Sequence, residues 1–142
     1  MTSNKEKPTV FLSIPWGPKF AKIRTFLPTA ILKNNFDVSL IYPLEPGASV
    51  VNRLSHLIKD SDIIIADITG NNPNVVFGLG FSQALDKPIL LIVQRGTIQE
   101  SPAIIHQYMY LEYDLKNLKE LSRAINAFLL NYKEQNKRKV KK

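Results

Sequence analysis

Two apolar runs in the middle of the chain constrain its fold most strongly. Residues 62–68 read DIIIADI and residues 88–93 read PILLIV, and neither run alternates between apolar and polar side chains. A strand that is apolar on both faces is typical of the interior of a parallel sheet with helices on both sides. The sequence therefore predicts an α/β fold built around a mostly parallel sheet.

Three further strand-like runs and four helical stretches complete this pattern. The other strands are predicted at residues 10–15, 36–43 and 109–114, and the last of these alternates as an edge strand does. The stretches with helical spacing of apolar residues are 19–34, 49–59, 73–85 and 115–132. Strands that alternate with helices predict right-handed crossovers and a three-layer sandwich. We expect five strands in the flavodoxin-like order 2-1-3-4-5.

Length and composition predict one domain. The chain has 142 residues and an apolar content of 44%, which suits a single core. No apolar run approaches the roughly 20 residues that span a bilayer, and the polar N-terminus lacks the apolar core of a signal peptide. We therefore expect a cytoplasmic protein with no membrane partner. The predicted divisions are a loose N-terminus at 1–8, the domain at 9–132 and a basic tail at 133–142.

Several classes of site are disfavoured by the residue counts. The chain has no cysteine and two histidines, which are far apart in the sequence. Thiol chemistry is excluded and a zinc centre is disfavoured. We expect no metal and no cofactor.

Most of the positive charge lies at the C-terminus. The formal net charge is +7, and the last ten residues, KEQNKRKVKK, carry a net of +5. A solvated, frayed end is the favoured interpretation of this tail, and nucleic-acid binding through it rests on charge alone. The residues that would contact nucleic acid are Lys137, Arg138, Lys139, Lys141 and Lys142.

Parallel sheets bind ligands beyond the carboxyl ends of their strands, near the switch in strand order, which points to the loops after the first, third and fourth strands. The loop after the first strand carries several candidate ligand residues. Its sequence, SIPWGPKF, offers the hydroxyl of Ser13, a stacking surface on Trp16, and Gly17, where backbone could approach a ligand closely. It matches neither the dinucleotide-binding pattern nor the Walker A pattern. A turn that uses Trp16 as a hydrophobic plug explains the same residues equally well.

The loop after the third strand is richer in polar residues. Residues 67–80 read DITGNNPNVVFGLG, and Asp67 ends an otherwise apolar strand. Asn72 followed by Pro73 predicts a helix start whose free N–H groups hold an anion or a sugar hydroxyl. The simpler alternative is a tight turn in which these side chains only satisfy the backbone. Gly78 and Gly80 then follow within the helix, although each glycine costs roughly 1 kcal/mol relative to alanine.

This second loop and its flanking strands resemble a known family. Residues 61–93, SDIIIADITGNNPNVVFGLGFSQALDKPILLIV, are similar to the signature of the nucleoside 2-deoxyribosyltransferase-like superfamily, which is related in fold to TIR domains. The resemblance extends over about residues 10–93 and rests on the series ADxT, NPNV, LG and KPI. It implies a nucleoside or nucleotide ligand and a homo-oligomer. With the first loop, the predicted ligand-binding residues are Ser13, Trp16, Gly17, Asp67, Thr69, Asn72, Asn74 and Gly78.

Gly78 departs from the pattern of the superfamily. At this position, before Leu-Gly, the family has a glutamate that attacks the anomeric carbon and forms a glycosyl-enzyme intermediate. Glycine can neither attack that carbon nor stabilise an oxocarbenium-like transition state. We expect Gly78 to face the pocket and to leave a void lined by Asp67, Thr69 and Asn74. Gly80 is expected to let the helix approach a strand closely.

The favoured function is therefore a nucleoside- or nucleotide-binding module, a pseudoenzyme without full glycosidic-bond-cleaving activity. The alternatives are an N-glycosidase, a 2-deoxyribosyltransferase or a TIR-like NAD-cleaving enzyme that uses another carboxylate, and an enzyme disabled by an engineered change at Gly78. Asp67 is the best placed carboxylate, as a supporting group, and no catalytic residue is assigned. Asp62 is predicted at the wrong edge of the sheet. Glu45 and Glu100 could reach inward from loops, and the segment 94–107 is expected to lie over the site.

Overall fold

All five strands of the sheet are parallel and lie in the order β2-β1-β3-β4-β5, as predicted. The structure is a computed structural model, and it describes residues 7–41, 46–101 and 103–140. The strands are β1 (Thr9–Ser13), β2 (Asp37–Leu40), β3 (Ile63–Asp67), β4 (Ile89–Gln94) and β5 (Tyr110–Tyr113). Residues 42–45, which include part of the predicted second strand, lie outside the described residues.

Four helices cover the two faces of this sheet and make the predicted three layers. They are α1 (Ala21–Leu32), α2 (Val50–Lys59), α3 (Pro73–Ala84) and α4 (Leu118–Val140). The core between the sheet and α1 and α4 includes Ile23, Leu27, Leu121 and Ile125. Separate clusters join the opposite face of the sheet to α2 and α3. None of the described helices is long and apolar enough to cross a membrane.

The continuous apolar sequence of β3 follows from this layering. Ile63 and Ile65 belong to the cluster under α1 and α4, whereas Ile64 and Ala66 contact the clusters under α2 and α3. Successive side chains of a strand point to opposite faces, so a central strand covered on both sides needs apolar residues at every position. Each residue of β3, including Asp67 at its end, is buried.

The C-terminal tail differs from the prediction of a frayed end. Helix α4 begins at Leu118 and continues to Val140, so residues 133–140 are helical. Lys133 joins this region to the domain, since its Nζ donates a hydrogen bond to the carbonyl of Asn34 at 2.6 Å and lies 4.8 Å from the ring centre of Phe36. Basic side chains near a helix C-terminus also interact favourably with the helix dipole.

The two glycines of α3 have roles opposite to those expected. Gly78 is buried, and a Cβ there would lie 3.5 Å from Cδ1 of Ile58 and 3.6 Å from Cδ2 of Leu54. The space beside Gly78 is therefore filled by α2, and the expected void lined by Asp67, Thr69 and Asn74 is wrong. Gly80 is exposed, with no neighbouring atom within 4 Å of a Cβ, so it mediates no close approach to a strand.

Replacing Gly80 by alanine should therefore stabilise the protein. The added methyl group meets open space, and alanine is favoured over glycine in a helix by roughly 1 kcal/mol. Urea denaturation should show a corresponding increase in the free energy of unfolding. Gly78→Ala is the matched variant at a buried position, where the methyl group meets α2 at ordinary contact distances. A loss of stability in Gly80→Ala would contradict the open outer face of α3.

Candidate functional site

A cavity of about 170 Å³ lies beyond the carboxyl ends of β1 and β3. The chain leaves β1 toward β2 on one side of the sheet and later returns to β3 on the other, so this is the switch point at which parallel sheets bind ligands. Strand β1 with its following loop, the residue after β2, and the starts of α2 and α3 contribute to the walls. The described lining residues are Ser13, Ile14, Pro15, Trp16, Ile41, Val50, Leu54, Asn72, Asn74 and Val75.

Half of the predicted ligand-binding residues meet at this cavity. Ser13, Trp16, Asn72 and Asn74 line it. The other four predicted residues, which are Gly17, Asp67, Thr69 and Gly78, are not among its described lining residues. Leu54 lines the cavity, and its side chain would also lie 3.6 Å from a Cβ at Gly78.

Arg24 in α1 positions the Trp16 wall. Its Nη1 donates hydrogen bonds to the carbonyls of Pro15 at 2.9 Å and Gly17 at 3.2 Å. The guanidinium carbon lies 4.6 Å from the centre of the Trp16 ring, which is the geometry of a cation–π contact. Nothing in the sequence pointed to Arg24, because no spacing rule relates a loop tryptophan to an arginine on the following helix. The interpretation of Trp16 as a hydrophobic plug is incomplete, since its side chain is 45% exposed.

The start of α3 confirms Asn72 as an N-cap but not the predicted free N–H groups. Asn72 Oδ1 accepts hydrogen bonds from the backbone N–H groups of Asn74 at 2.9 Å and Val75 at 3.4 Å. The N–H of Val76 donates to the carbonyl of Asn72 at 3.0 Å, and Pro73 has no N–H. The first turn therefore satisfies its own donors, and the polar groups that face the cavity are neutral side chains.

Asp67 and Thr69 tie strand ends together. Asp67 Oδ2 accepts a hydrogen bond from the hydroxyl of Tyr113 at 2.6 Å, and Oδ1 accepts one from the N–H of Thr69 at 3.0 Å. Thr69 Oγ1 in turn accepts a hydrogen bond from the N–H of Gln94 at 2.8 Å. These contacts link the ends of β3, β4 and β5. The tight-turn alternative accounts for the contacts with backbone N–H groups but not for the hydrogen bond between Asp67 and Tyr113.

The environment of Asp67 makes its charged form costly. Its side chain is fully buried, and this burial raises the pKa of the carboxyl above the ordinary value of 3.8. Hydrogen bonds from Thr69 and Tyr113 and the positive charge of Lys19 oppose the shift without cancelling it. Burial likewise raises the pKa of the Tyr113 hydroxyl, so this group remains a donor at neutral pH.

The remaining candidate carboxylates do not reach the cavity in the part of the chain that the structure describes. Asp62 lies at the amino end of β3, where Oδ2 accepts a hydrogen bond from the N–H of Thr9 at 2.8 Å, which confirms its position at the wrong edge. Glu100 is exposed and does not line the cavity. Glu45 lies outside the described residues. All described lining residues are uncharged.

The segment 94–107 packs on α3 and does not cover the cavity. It contains short 3-10 turns at Ile98–Glu100 and Ala103–Gln107, and Ile105 is buried in the cluster with Leu79 of α3. The side-chain amide of Asn71 donates a hydrogen bond to the carbonyl of Glu100 at 2.6 Å. None of its described residues lines the cavity, so the expectation of a loop over this cavity is wrong.

Charge elsewhere does not add to this site. Helix α4 follows β5 and runs from the carboxyl edge of the sheet toward its amino edge. Lys133 marks this direction, because it contacts Asn34, which precedes β2. The later residues Lys137, Arg138 and Lys139 therefore lie toward the amino edge, away from the cavity. Lys141 and Lys142 lie outside the described residues. Across residues 7–41, 46–101 and 103–140, no three His, Asp or Glu side chains form a group that could hold a metal ion.

Comparison with known proteins identifies a similar fold. No protein-family model matches the chain, and a search of curated proteins finds no match. Among solved structures, the chain is similar to the Clostridium botulinum CMP N-glycosidase BcmB, with a TM-score of 0.62 and 20% identity over 84% of this chain and 98% of that one. This likeness supports the same α/β architecture.

A second similar structure is more distant. It is a fungal multi-domain GH3 beta-N-acetylglucosaminidase that contains a GCN5-related glucosamine N-acetyltransferase region. The match has 20% identity and a TM-score of 0.48, and covers 67% of this chain but 11% of that protein. It contributes nothing to the functional argument.

Asp67→Asn should change how stability depends on pH. A carboxyl whose pKa is raised on folding stabilises the protein fully below its unfolded pKa, and this contribution is lost as pH rises through the folded pKa. The free energy of unfolding of Asp67→Asn relative to the unmodified protein should therefore increase with pH in that window, by at most about 1.4 kcal/mol per pH unit. Urea denaturation at several pH values measures this difference.

Tyr113→Phe is the matched variant for this experiment. It keeps the carboxyl of Asp67 but removes a donor that favours its charged form, so the pKa of Asp67 should rise further. We expect a loss of about 1–3 kcal/mol, because a buried carboxyl oxygen loses its hydrogen-bond partner. A pH-independent difference between Asp67→Asn and the unmodified protein would contradict the costly burial of this carboxylate.

Proposed function

We propose that this protein binds a nucleoside or nucleotide as a non-catalytic member of the 2-deoxyribosyltransferase-like superfamily. The observation that carries the proposal is the meeting of Ser13, Trp16, Asn72 and Asn74 at one cavity, because these residues come from two loops that are far apart in the sequence. The indole of Trp16 can stack on a base. The hydroxyl and the two side-chain amides can bond the base edge or the sugar hydroxyls.

The same geometry argues against cleavage of the glycosidic bond. Gly78 brings no carboxylate, and Asp67 is buried in its network with Tyr113 and is not a described lining residue. Glycoside hydrolysis through an oxocarbenium-like transition state needs a carboxylate beside the reacting carbon. The described walls of the cavity have none.

An active N-glycosidase or 2-deoxyribosyltransferase is the second candidate. It is favoured by the similarity to a structure that is named a CMP N-glycosidase. Such an enzyme would need a carboxylate at the cavity, where the described walls have none; Glu45, four residues from the lining residue Ile41 in the sequence, is a candidate.

Ligand binding can be measured directly through Trp16, since it is the single tryptophan of the chain. Its emission should change saturably when a binding nucleoside or nucleotide is added, because a stacked base quenches indole fluorescence. The panel should contain nucleosides, nucleoside monophosphates and NAD. Trp16→Ala, followed by calorimetry, should weaken binding by about 1–3 kcal/mol, the usual loss when a stacking aromatic ring is removed. Failure of the whole panel to bind would refute the proposal.

Release of free base separates the two candidates. The unmodified protein should release no base from the panel above the uncatalysed rate. Gly78→Glu restores the family's glutamate, although its side chain must pass Leu54 and Ile58 to reach the cavity, and Gly78→Gln is a control of the same size without the charge. Release by Gly78→Glu but not by Gly78→Gln would show a disabled site. Cleavage by the unmodified protein would establish the enzyme instead.

A further inference from the structure

We infer that the cavity selects unphosphorylated nucleosides and rejects nucleotides, because its described lining residues are uncharged and the start of α3 is closed to anions. This inference rests on the proposed function and adds the chemical class of the ligand. In this inference, Asn72 disfavours phosphate because its side chain caps the N–H groups of α3, and Val50 disfavours phosphate because it makes that part of the wall apolar. Neither role follows from the family resemblance.

The walls offer no compensation for a phosphate charge. The polar side chains on the described lining are Ser13, Asn72 and Asn74, and the others are apolar. A phosphate monoester carries roughly −1.5 to −2 at neutral pH, and burial of such a charge is costly unless a cation or several donors pair with it. Residues 42–45, which follow the lining residue Ile41 in the sequence, are Tyr-Pro-Leu-Glu and contain no basic residue.

The start of α3 would ordinarily be the best anion site at this edge of the sheet. Free N–H groups in the first helical turn bind phosphates in many α/β proteins. Here Asn72 Oδ1 and the Asn72 carbonyl occupy the N–H groups of residues 74–76, and Pro73 has none to offer. A phosphate would have to displace this cap before it could bind.

Two nearby cations already have partners. The guanidinium of Arg24 lies on the Trp16 ring and donates to two loop carbonyls. Lys19 lies 5.2 Å from the ring centre of Phe20, and its charge acts on Asp67. Neither residue is a described lining residue of the cavity. If Arg24 bound a phosphate, it would lose its contacts with the Trp16 ring and with the carbonyls of the same loop.

The size of the cavity points in the same direction. Its volume of about 170 Å³ is below the roughly 300–1,000 Å³ of sites that enclose drug-sized ligands. A planar base can stack on Trp16, and sugar hydroxyls suit the neutral side chains of Ser13, Asn72 and Asn74. The chemistry of the walls therefore matches a base and its sugar better than a base, sugar and phosphate.

The first test compares each nucleoside with its own 5′-monophosphate by titration of Trp16 fluorescence, in low and in moderate salt. For the base that binds best, the nucleoside should bind at least about tenfold more tightly than the monophosphate, and its affinity should be nearly independent of salt. A monophosphate that binds as tightly as its nucleoside, or more tightly, overturns this inference but leaves the proposed function intact. Absence of binding by both classes overturns both.

A matched pair of variants tests the role of the cavity wall. Val50 lines the cavity and is 40% exposed, whereas the adjacent Val51 is 54% exposed and is not a described lining residue. Lysine at either position adds the same charge at the start of α2 and can remain solvated. Val50→Lys should improve monophosphate binding relative to the nucleoside by about tenfold in low salt, and much less in high salt.

Val51→Lys is the control, and it should leave the ratio of the two affinities nearly unchanged. Circular dichroism and thermal unfolding establish that both variants are folded. An equal effect of the two lysines would show that general charge and not the wall sets the selectivity, and would overturn the inference. So would an unchanged ratio in Val50→Lys, because the wall would then not contact the ligand.

Discussion

Burial of β3 on both faces is the constraint on which the other parts of the structure depend. The strand lies in the middle of the sheet, between β1 and β4, and helices cover it on each side. Parallel strands cannot be joined by hairpins, so α1, α2 and α3 connect the first four strands, and a segment with short 3-10 turns connects β4 to β5. This arrangement brings the loops that follow β1 and β3 to one edge, where the cavity forms. The position of the cavity therefore follows from the packing of helices on both faces of β3.

At that edge, most polar side chains form hydrogen bonds within the protein and are not free to bind a ligand. Asp67 holds Tyr113 and Thr69, and Asn72 caps α3. Arg24 supports Trp16 and its loop. A buried polar group without a partner costs about 1–3 kcal/mol, so a compact edge uses these groups internally. What remains for recognition is one exposed aromatic ring and a few neutral side chains, which is the basis for a ligand without charge.

Patterns along the chain were sufficient for the fold because each of them is local. Residues 62–68 and 88–93 show burial by their composition, and Asn72-Pro73 marks the start of α3 within one residue. The C-terminal helix was predicted too short, since the sequence KEQNKRK has no apolar stripe. Contacts of Lys133 with Asn34 and Phe36 help to anchor it, and these partners are distant in the sequence.

The sequence by itself determined the α/β class and the alternation of strands and helices, because periodicity decides these features. It favoured the observed strand order and pointed to the loops after β1, β3 and β4, of which the first two line the cavity. Only the tertiary structure decided which side chains face that cavity. Gly78 faces Leu54 and Ile58 because α2 packs beside α3. Asp67 contacts Tyr113 because both residues end strands of the same sheet, β3 and β5, with β4 between them. The direction of a side chain depends on neighbours that are remote in the sequence. A missing glutamate can thus be recognised from a motif, whereas the surroundings of the glycine that replaces it cannot.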